Sequence, residues 1–259
     1  MEQIITVTNQ KGGVGKTTLA ASLICGLQLK GARVLGIDFD PQGNLAFHLG
    51  LDIGTGCTIH DILLGSRTFK ESIVHTKYGD VLPADIMLSN AEQDFSGPRR
   101  EFILAQQLSI LQNDYDFIII DTPPALNILT INAYVASTGI IIPMEAEILS
   151  LVGLSQIQDT VDAVRGSNNP NLKVLGIIMN KFNPRLNLSR EVLELAEEMA
   201  VQMGSHVFPT KIRRGVDVAA APAHGQSVLT YKPNSKPAMD FQKIIDFVAE
   251  DFSPHSQDS

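Results

Sequence analysis

Short runs of apolar, mostly β-branched residues recur along the chain and predict the strands of a β-sheet. The runs cover residues 3–8, 33–38, 116–121, 139–144 and 173–179. Their apolar residues are continuous, as expected for parallel strands that are buried on both faces. Amphipathic helical stretches lie between them and can supply the crossovers. The pattern predicts an α/β fold with a doubly wound, mostly parallel sheet and helices on both faces.

The spacing of apolar residues also predicts two particular helices. The first runs from Thr17 to a C-terminal stop at Gly31. The second is expected from Ser189 to Met203, with Ser189 as its N-cap and Gly204 as its end. The residues expected on the buried sides are Ala20, Leu23, Ile24 and Leu27 in the first helix and Val192, Leu195, Ala196 and Met199 in the second.

Length and composition indicate one globular domain. A chain of 259 residues with 44% hydrophobic and 19% charged residues can bury a sizeable core. We expect one domain over residues 1–252 and a disordered tail over residues 253–259, which are polar. No apolar run approaches the roughly 20 residues of a membrane span, and the N-terminus lacks the basic region of a signal peptide. The sequence therefore predicts a cytoplasmic protein with no membrane partner.

Charge and cysteine content narrow the function classes further. The formal net charge is -8, so contact with nucleic acid would require a local basic patch. Cys25 and Cys57 have no C-x-x-C spacing, which argues against a disulfide framework or a metal site. We expect Cys25 to be a core thiol and Cys57 to be an incidental residue.

The segment after the first strand, QKGGVGKTT, has the features of a phosphate-binding loop. It fits the G-x-x-x-x-G-K-[ST] pattern once the first glycine is relaxed to Gln10. Glycines let the backbone approach an anion, and the following helix presents its positive dipole end. Lys16 should reach the β- and γ-phosphates, and the Thr17 hydroxyl should bind Mg²⁺. The residues predicted to contact the nucleotide in this loop are Gly12, Gly13, Val14, Gly15, Lys16, Thr17 and Thr18.

Aspartates that follow two of the predicted strands add carboxylates to this site. Asp38 and Asp40 lie at the end of the second strand and, being two residues apart, can share a face. Asp121 ends the third strand in DFIIIDTPP, the position of a Walker B acid. Ligands of open α/β sheets bind at the carboxyl ends of the strands. We therefore expect the loop and the aspartates to converge.

Several motifs in matching order resemble the ParA/Soj partition ATPases, namely KGGVGKTT, DFDPQGN, DFIIIDTPP, NILTINAY and APAHGQSVLTY. These proteins belong to the deviant Walker A ATPases, which include MinD and the nitrogenase iron protein. The likeness extends from about residue 3 to residue 240. It implies a P-loop NTPase fold of the deviant Walker A type. It also implies ATP and Mg²⁺ as cofactors and slow, partner-stimulated hydrolysis of ATP to ADP and phosphate.

The resemblance implies roles for the charged residues of the site. Lys11 corresponds to the signature lysine, which reaches the nucleotide of the partner subunit when two monomers close around two ATP molecules. An additional cation beside the phosphates would offset charge that develops during phosphoryl transfer. Asp40 would orient the attacking water, although Asp38 could also reach it. Asp38 and Asp121 would hold Mg²⁺ through waters.

Two further residues are implied for the adenine pocket. Asn180 ends the strand in IIMNKF, and its side-chain amide would pair with the adenine edge. Pro209 would line the same pocket. From the residues alone, an asparagine at a strand end is more often a turn residue.

The resemblance further implies a dimer that binds double-stranded DNA without sequence preference and a ParB-like centromere-binding protein that stimulates hydrolysis. Such a protein would be nucleoid-associated and would need clustered Lys and Arg. Residues 179–236 contain eight basic side chains. Asp217 stands where the family commonly has an arginine, so other cations would have to compensate. The expected DNA contacts are Arg185, Lys211, Arg213 and Arg214.

Other functions stay open at this point. A MinD-like positioning ATPase would act on a non-DNA surface or cargo, and MinD ends in a basic amphipathic helix. Here DFQKIIDFVAEDF carries four acids and one lysine, so we expect it to pack on the protein body. An electron-transfer ATPase would need cysteines for an iron-sulfur cluster, and Cys25 within a helix does not suit that role. A non-catalytic scaffold is disfavoured because the loop lysines and the aspartates are retained together.

Overall fold

The computed structural model of the chain describes residues 2–51, 56–111 and 114–252. The strands are β1 (Gln3–Val7), β2 (Val34–Asp38), β3 (Val74–Thr76), β4 (Gly79–Leu82), β5 (Phe117–Asp121), β6 (Gly139–Glu145) and β7 (Lys173–Asn180). They form one sheet in the order β3-β4-β2-β5-β1-β6-β7. Neighbouring strands are parallel except for the edge pair β3 and β4. The predicted mostly parallel sheet is confirmed, while the predicted tail over residues 253–259 lies outside the described residues.

Helices pack on both faces of this sheet. The helices are α1 (Lys16–Leu29), α2 (Asn44–His48), α3 (Ile59–Leu63), α4 (Phe69–Ser72), α5 (Ala91–Asp94), α6 (Ile103–Leu108), α7 (Ile128–Ala136), α8 (Ile148–Ser167), α9 (Asn187–Gln202), α10 (Val216–Ala220), α11 (Val228–Tyr231) and α12 (Lys236–Asp251). Short 3₁₀ helices cover Ile86–Asn90, Arg100–Phe102, Ser109–Leu111 and Ala221–His224. Strand β5 shows why both faces need covering. Its Ile119 joins the core with α1 and α12, while Ile118 and Ile120 join the core with α6 and α7.

The apolar pattern did not predict β3 and β4. Strand β3 has only three residues, none of them buried, and its sequence is VHT. Strand β4 reads GDVL and pairs with β3 on one side and β2 on the other. Both segments are too short and too polar to give an apolar run, so the sheet contacts themselves stabilise them.

The strand order brings three distant parts of the chain together. Strand β5 lies between β2 and β1, with Asp38 opposite Asp121 and Val7 opposite Asp121 on the other side. The segment after β1 is the glycine-rich loop. The expected convergence at the carboxyl edge of the sheet is therefore observed.

Helix α1 is buried on almost every side because it packs between the sheet and α12. The residues predicted for its buried side are all fully buried, namely Ala20, Leu23, Ile24 and Leu27. Gly26 lets α12 approach, since a Cβ atom there would lie 2.4 Å from Ile245 Cδ1. After Leu29 the chain turns at Gly31, which has a φ of 89° and so favours glycine.

Helix α12 packs on the protein body, as its acidic sequence predicted. Phe241, Ile244, Ile245 and Val248 are buried in the same core as α1. Its Asp246 pairs with Lys30 of the α1 C-cap at 2.8 Å. None of the helices within the described ranges is long and apolar enough to cross a membrane.

Helix α9 differs from its predicted form. It begins at Asn187 with Leu186 as N-cap, so Ser189 lies inside the helix and is buried. The buried stripe consists of Ser189, Val192, Ala196 and Ala200. Leu195 is 44% exposed. Placing Leu195 on the buried side was wrong because a residue adjacent to Ala196 is rotated by about 100° around the helix axis.

The cysteine prediction is confirmed for Cys25. Both cysteines are free thiols, with Cys25 buried and Cys57 half-buried. Burial raises the pKa of the Cys25 thiol to about 11, which suppresses the reactive thiolate. Cys25 is therefore an inert core residue.

Candidate nucleotide site

The glycine-rich loop has the backbone shape of an anion-binding loop. Gly13 and Gly15 have φ angles of 78° and 94°, which L side chains rarely adopt. Helix α1 begins at Lys16, and no side chain caps its N-terminus. The free N–H groups of that first turn and the helix dipole both favour a phosphate at this position.

Lys16 is a buried cation, with 7% of its surface exposed. Its Nζ donates a hydrogen bond to the Lys11 carbonyl oxygen at 3.2 Å. Burial lowers the pKa of Lys16, and the nearby carboxylates of Asp121 and Asp40 partly offset that effect. A desolvated ammonium with a backbone carbonyl as partner gains strongly from contact with phosphate oxygens.

All three predicted aspartates are buried, and Asp40 and Asp121 lie close enough to Lys16 to act on its charge. Asp38 accepts hydrogen bonds from the Asp40 and Leu45 backbone N–H groups at 3.2 and 2.9 Å. Asp40 accepts one from the Gln42 backbone N–H at 3.0 Å. Neither carboxylate oxygen of Asp121 accepts a hydrogen bond of ordinary geometry from the described residues. Asp121 is fully buried, and the Thr17 side chain interacts with it through a weaker hydrogen bond.

The electrostatics of this cluster favour the binding of a positive charge. Burial raises the pKa of Asp38 well above its usual range, and the Asp121 carboxylate adds to this effect. Burial also raises the pKa of Asp121 to about 7, although Thr17 and Lys16 lower it in part. Two buried carboxyl groups that resist ionisation are characteristic of a site that binds a cation together with its substrate.

The donor set fits Mg²⁺ bound with a nucleotide. No group of three His, Cys, Asp or Glu side chains forms a complete metal cage in the described part of the chain. Mg²⁺ does not need one, because it usually keeps several waters and takes one or two protein ligands plus substrate phosphates. Thr17 and the buried carboxylate of Asp121 suit that arrangement, and Asp38 lies beside Asp121.

Lys11 lies against its own chain. Its Nζ forms an ion pair with Glu147 Oε2 at the N-cap of α8, and its backbone N–H donates to Asn9 Oδ1 at 2.9 Å. The Lys11 ammonium lowers the pKa of Glu147. Side chains of both residues are partly exposed, at 36% and 52%. Since such an exposed pair is weak, Lys11 can leave Glu147 at little cost.

Asn180 contacts the phosphate loop directly. Its Nδ2 donates to the Val14 carbonyl oxygen at 2.6 Å. A cavity of about 320 Å³ opens beside it, lined by Gly13, Gly15, Thr18, Asn180, Lys181, Arg213, Arg214, Gly215, Val218 and Ala219. This cavity continues from the loop and offers room for a nucleoside. Pro209 is exposed and is not among its lining residues.

The sequence interpretation missed several residues of this cavity. Lys181 and Gly215 were assigned no role, and Arg214 was assigned only to DNA. The sequence position of Lys181 could have indicated its role, because this residue directly follows Asn180 at the end of β7.

A larger open cavity of about 620 Å³ lies elsewhere, lined in part by Phe47 and His224, and includes none of the predicted site residues.

The basic residues predicted for DNA occupy two adjoining segments. Phe182 and Arg213 form an isolated β-bridge, which brings the segment of Arg185 beside that of Arg214. Arg185 and Arg214 are exposed and form no ion pair with any described residue. Lys211 donates from Nζ to the Pro209 carbonyl oxygen at 3.3 Å.

Arg213 differs from these cations because its guanidinium is already paired. It donates from Nε and Nη2 to the two carboxylate oxygens of Asp240 at 2.8 and 2.7 Å. Asp240 is 5% exposed. A bidentate pair of this kind positions the loop of residues 211–215 on α12, and it reduces the charge available to a ligand.

Comparison with known proteins extends the likeness to nearly the whole chain. Residues 2–174 match the family model described as an AAA domain. The chain is 39% identical over 253 residues to the sporulation initiation inhibitor protein Soj of Bacillus subtilis, covering 96% of this chain and 99% of that protein. It is 37% identical over 235 residues to the chromosome partitioning protein ParA of Caulobacter vibrioides, covering 88% and 87%.

A solved structure supports the fold. The crystal structure of cobyrinic acid a,c-diamide synthase from Mycobacterium smegmatis with bound ADP and magnesium matches with a TM-score of 0.82 and 34% identity. The match covers 96% of this chain and 95% of that chain. The family model, the two relatives and the loop geometry lead to one assignment. This chain belongs to the ParA/Soj family of chromosome-partitioning ATPases.

Proposed function

We propose that this chain is an ATP-dependent DNA-partition ATPase and that residues 1–252 act as one ATPase domain. In this proposal ATP closes a sandwich dimer, the dimer binds DNA without sequence preference, and a ParB-like partner stimulates hydrolysis and release. The observation that carries it is the convergence of Lys16 and Thr17 with three buried aspartates at one edge of the sheet. A protein of this kind would be cytoplasmic and nucleoid-associated.

The nucleotide would bind along the phosphate loop and extend into the adjoining cavity. Gly12 to Thr18 would hold the phosphates, and Asn180 would border the nucleoside. Thr17, Asp38 and Asp121 would hold Mg²⁺, the aspartates through waters. When bound, Mg²⁺ would neutralise charge that develops on the phosphates.

Asp40 and Lys11 would complete the chemistry. Asp40 has one oxygen engaged by the Gln42 N–H, which leaves the other able to orient a water molecule. Asp38 is the weaker candidate for this role because backbone N–H groups engage both of its oxygens. Lys11 would stabilise the transferring phosphoryl group of the partner subunit.

An exposed apolar surface supports the dimer. Ile148, Leu149 and Val152 follow Glu147 in the first turns of α8 and are 53%, 73% and 55% exposed. Neighbouring large apolar side chains with such exposure mark interaction surfaces. Because Glu147 is the partner of Lys11, this surface adjoins the lysine that would act across the interface.

DNA would contact the two adjoining basic segments. Arg185 and Arg214 are the exposed cations best placed to bind phosphates, and Lys211 would add to them. Arg213 would contribute less because Asp240 already neutralises it. The names of the two relatives, which refer to partitioning and sporulation initiation, are consistent with a role on DNA.

A second candidate is a positioning ATPase that acts on a non-DNA surface or cargo. Asp217 favours it, because this residue closely follows Arg213 and Arg214 in the sequence and makes no ion pair within the described residues. A carboxylate at that position would repel a phosphate backbone. The ATP site and the dimer would be the same in both proposals.

Binding to non-specific duplex DNA tests the choice. The protein would be measured with ADP, with ATP and with a slowly hydrolysed ATP analogue at two salt concentrations, and light scattering would report dimerisation. Salt-sensitive DNA binding by the ATP-bound dimer is expected. A dimer that forms with ATP but binds no DNA at low salt would reject the partition proposal and favour the positioning ATPase.

A further inference from the structure

A phosphate-binding loop has a structural requirement that its motif does not reveal. When successive N–H groups point inward to an anion, the carbonyl groups of the same residues tend to point outward. Outward carbonyl groups that are not exposed to water need hydrogen-bond donors from elsewhere in the fold. The donors that satisfy them also determine how rigidly the loop keeps its shape.

Two consecutive carbonyl groups of this loop are bound by two consecutive residues at the end of β7. Asn180 Nδ2 donates to the Val14 carbonyl oxygen at 2.6 Å, and Lys181 Nζ donates to the Gly13 carbonyl oxygen at 2.8 Å. Asn180 Oδ1 in turn accepts from the Lys181 backbone N–H at 2.8 Å. The amide of Asn180 is therefore oriented by Lys181 as well as by the loop.

Lys181 also connects the loop to the neighbouring strand. Its Nζ forms an ion pair with Glu145 Oε1 at 2.7 Å, and the Glu145 side chain is only 19% exposed. Glu145 ends β6 and lies directly opposite Asn180 in the sheet. The loop is thus attached through side chains to the ends of two adjacent strands.

The backbone conformation of Lys181 and the close packing of Gly15 are both consistent with these contacts. Lys181 has a φ of 51°, one of only two positive φ values among the described non-glycine residues. Such a conformation persists when the surrounding contacts enforce it. At Gly15 a Cβ atom would lie 2.3 Å from Asn180 Nδ2, so the loop and Asn180 are in close contact.

We propose that Asn180, Lys181 and Glu145 form a brace that holds the phosphate loop in its anion-binding shape before the nucleotide arrives. Lys181 is the central positioning residue of this loop brace, because it contacts the loop, Asn180 and Glu145. The inference rests on the proposed ATP site and adds a role for residues that the Walker-type motif does not include. Lys181 acts through the loop backbone, and Lys16 remains the lysine that contacts phosphate.

Preorganisation gives the expected effect of removing the brace. A loop that must first be ordered binds its ligand more weakly, because part of the binding free energy is spent on the ordering. Lys181→Met keeps the length of the side chain and removes the donor, so we expect roughly tenfold weaker binding of ATP and ADP. The kcat at saturating ATP should change less than twofold to threefold, since the bound loop has the same shape.

The experiment uses the full chain and a fluorescent ATP analogue with Mg²⁺. Equilibrium binding, the KM and kcat of hydrolysis, and hydrogen exchange of the loop amides would be measured for the wild type and for Lys181→Met. Lys181→Arg retains a donor and should recover most of the affinity. Glu145→Gln should weaken binding by about threefold, because it removes only the outer support. Lys243→Met, an exposed lysine on α12, is the matched control.

The outcomes separate the brace from the proposed function. If the wild type binds no ATP analogue, the proposed function fails. If the wild type binds and Lys181→Met binds equally well with unchanged loop exchange, the brace is refuted. If Lys181→Met does not fold, Glu145→Gln decides, because unchanged affinity and loop exchange in that folded variant would also refute the brace. A variant that loses thermal stability but keeps its nucleotide affinity would show an ordinary structural role and would equally overturn the proposal.

Discussion

The nucleotide site and the basic surface beside it are built in opposite ways. At the site, Lys16 and the three aspartates are buried, and their charges are incompletely balanced by neighbouring groups. On the basic surface, Arg185 and Arg214 are exposed and form no ion pair with any described residue. The two regions adjoin, because Arg214 also lines the cavity beside the phosphate loop.

This difference shows that the buried charges of the site contribute more to the free energy of ligand binding than the exposed cations of the basic surface do. A buried charge without a full set of partners costs several kcal/mol. A ligand of complementary charge that binds at the site relieves this cost and is therefore bound more tightly. An exposed cation changes the free energy of binding by much less and in a salt-dependent way. Substitutions in the two regions should therefore differ in size and in their response to pH and salt.

The largest effect is expected for Lys11 and Asp40. Lys11→Ala and Asp40→Ala should each lower the rate of ATP hydrolysis by about 10²–10³-fold, because each removes a group that acts on the transition state. If Lys11 acts across the dimer, an equal mixture of the two variants should recover about one quarter of wild-type activity. Half of the random dimers are then mixed, and each mixed dimer holds one complete site. Steady-state phosphate release measures this, and a mixture as inactive as its components would contradict action in trans.

A smaller effect on stability is expected for Asp121. Its pKa is raised from 3.8 to about 7 in the folded protein, so the folded chain binds a proton that the unfolded chain has released. The stability of the nucleotide-free protein should therefore be complete at low pH and fall as the pH rises toward and through about 7.

Asp121→Asn removes this loss because the amide has no charge to bury. The variant should unfold with a free energy about 1–3 kcal/mol higher than the wild type at about pH 8, while hydrolysis is lost. Urea unfolding at about pH 4 and about pH 8 measures the difference, which should be much smaller at the lower pH because that pH is close to the unfolded pKa of 3.8. An equal difference at both pH values would mean that the charge of Asp121 is not the cause.

Arg213 should behave as a structural residue and not as a DNA contact. Arg213→Ala leaves the buried carboxylate of Asp240 without its bidentate partner, and we expect a loss of about 1–2 kcal/mol of unfolding free energy, discounted because Arg213 is half exposed. The double variant Arg213→Ala with Asp240→Asn should lose less than the sum of the single changes. Purely additive effects in thermal or urea unfolding would contradict the pairing.

The smallest effect is expected on the basic surface. Asp217→Arg should raise the affinity of the ATP-bound dimer for non-specific DNA by roughly threefold to tenfold and increase the salt slope by about one. Arg185→Ala and Arg214→Ala should change affinity in the opposite direction by similar factors. Fluorescence anisotropy at several salt concentrations measures these changes. An unchanged salt slope for all three variants would place DNA contact elsewhere on the protein.

Much of the fold could be predicted from the sequence. Continuous apolar runs located β1, β2, β5, β6 and β7 and their parallel arrangement, because a strand buried on both faces has little choice of residue type. Strands β3 and β4 escaped detection because their few residues are half polar. Helix α9 was found, but its N-cap and the side that carries Leu195 were wrong. A boundary shift of two residues changes which cap residue is involved, and apolar residues occur on both sides of the predicted stripe.

The candidate site could be predicted in its central part. Lys16, Thr17 and the aspartates were named from motif spacing, and the structure places them together. The cavity beside the loop was harder to predict, since Lys181, Arg214 and Gly215 line it. The role of Pro209 stays a prediction. No local pattern distinguishes an arginine that lines a cavity from one that binds a carboxylate on a distant helix, as Arg213 does.

The sequence by itself determined the order of the strands along the chain, the phosphate loop and the chemical identity of the groups at the sheet edge. These features depend on short segments, in which apolar periodicity and glycine conformational freedom act locally. Only the tertiary structure decided which charges are buried, which are paired and which stay exposed. The contacts of Asn180 with Val14, Lys11 with Glu147 and Arg213 with Asp240 join residues 166, 136 and 27 positions apart. Burial and the distances between charges set the pKa of each group and the free energy of each contact, and both quantities exist only once the chain is folded.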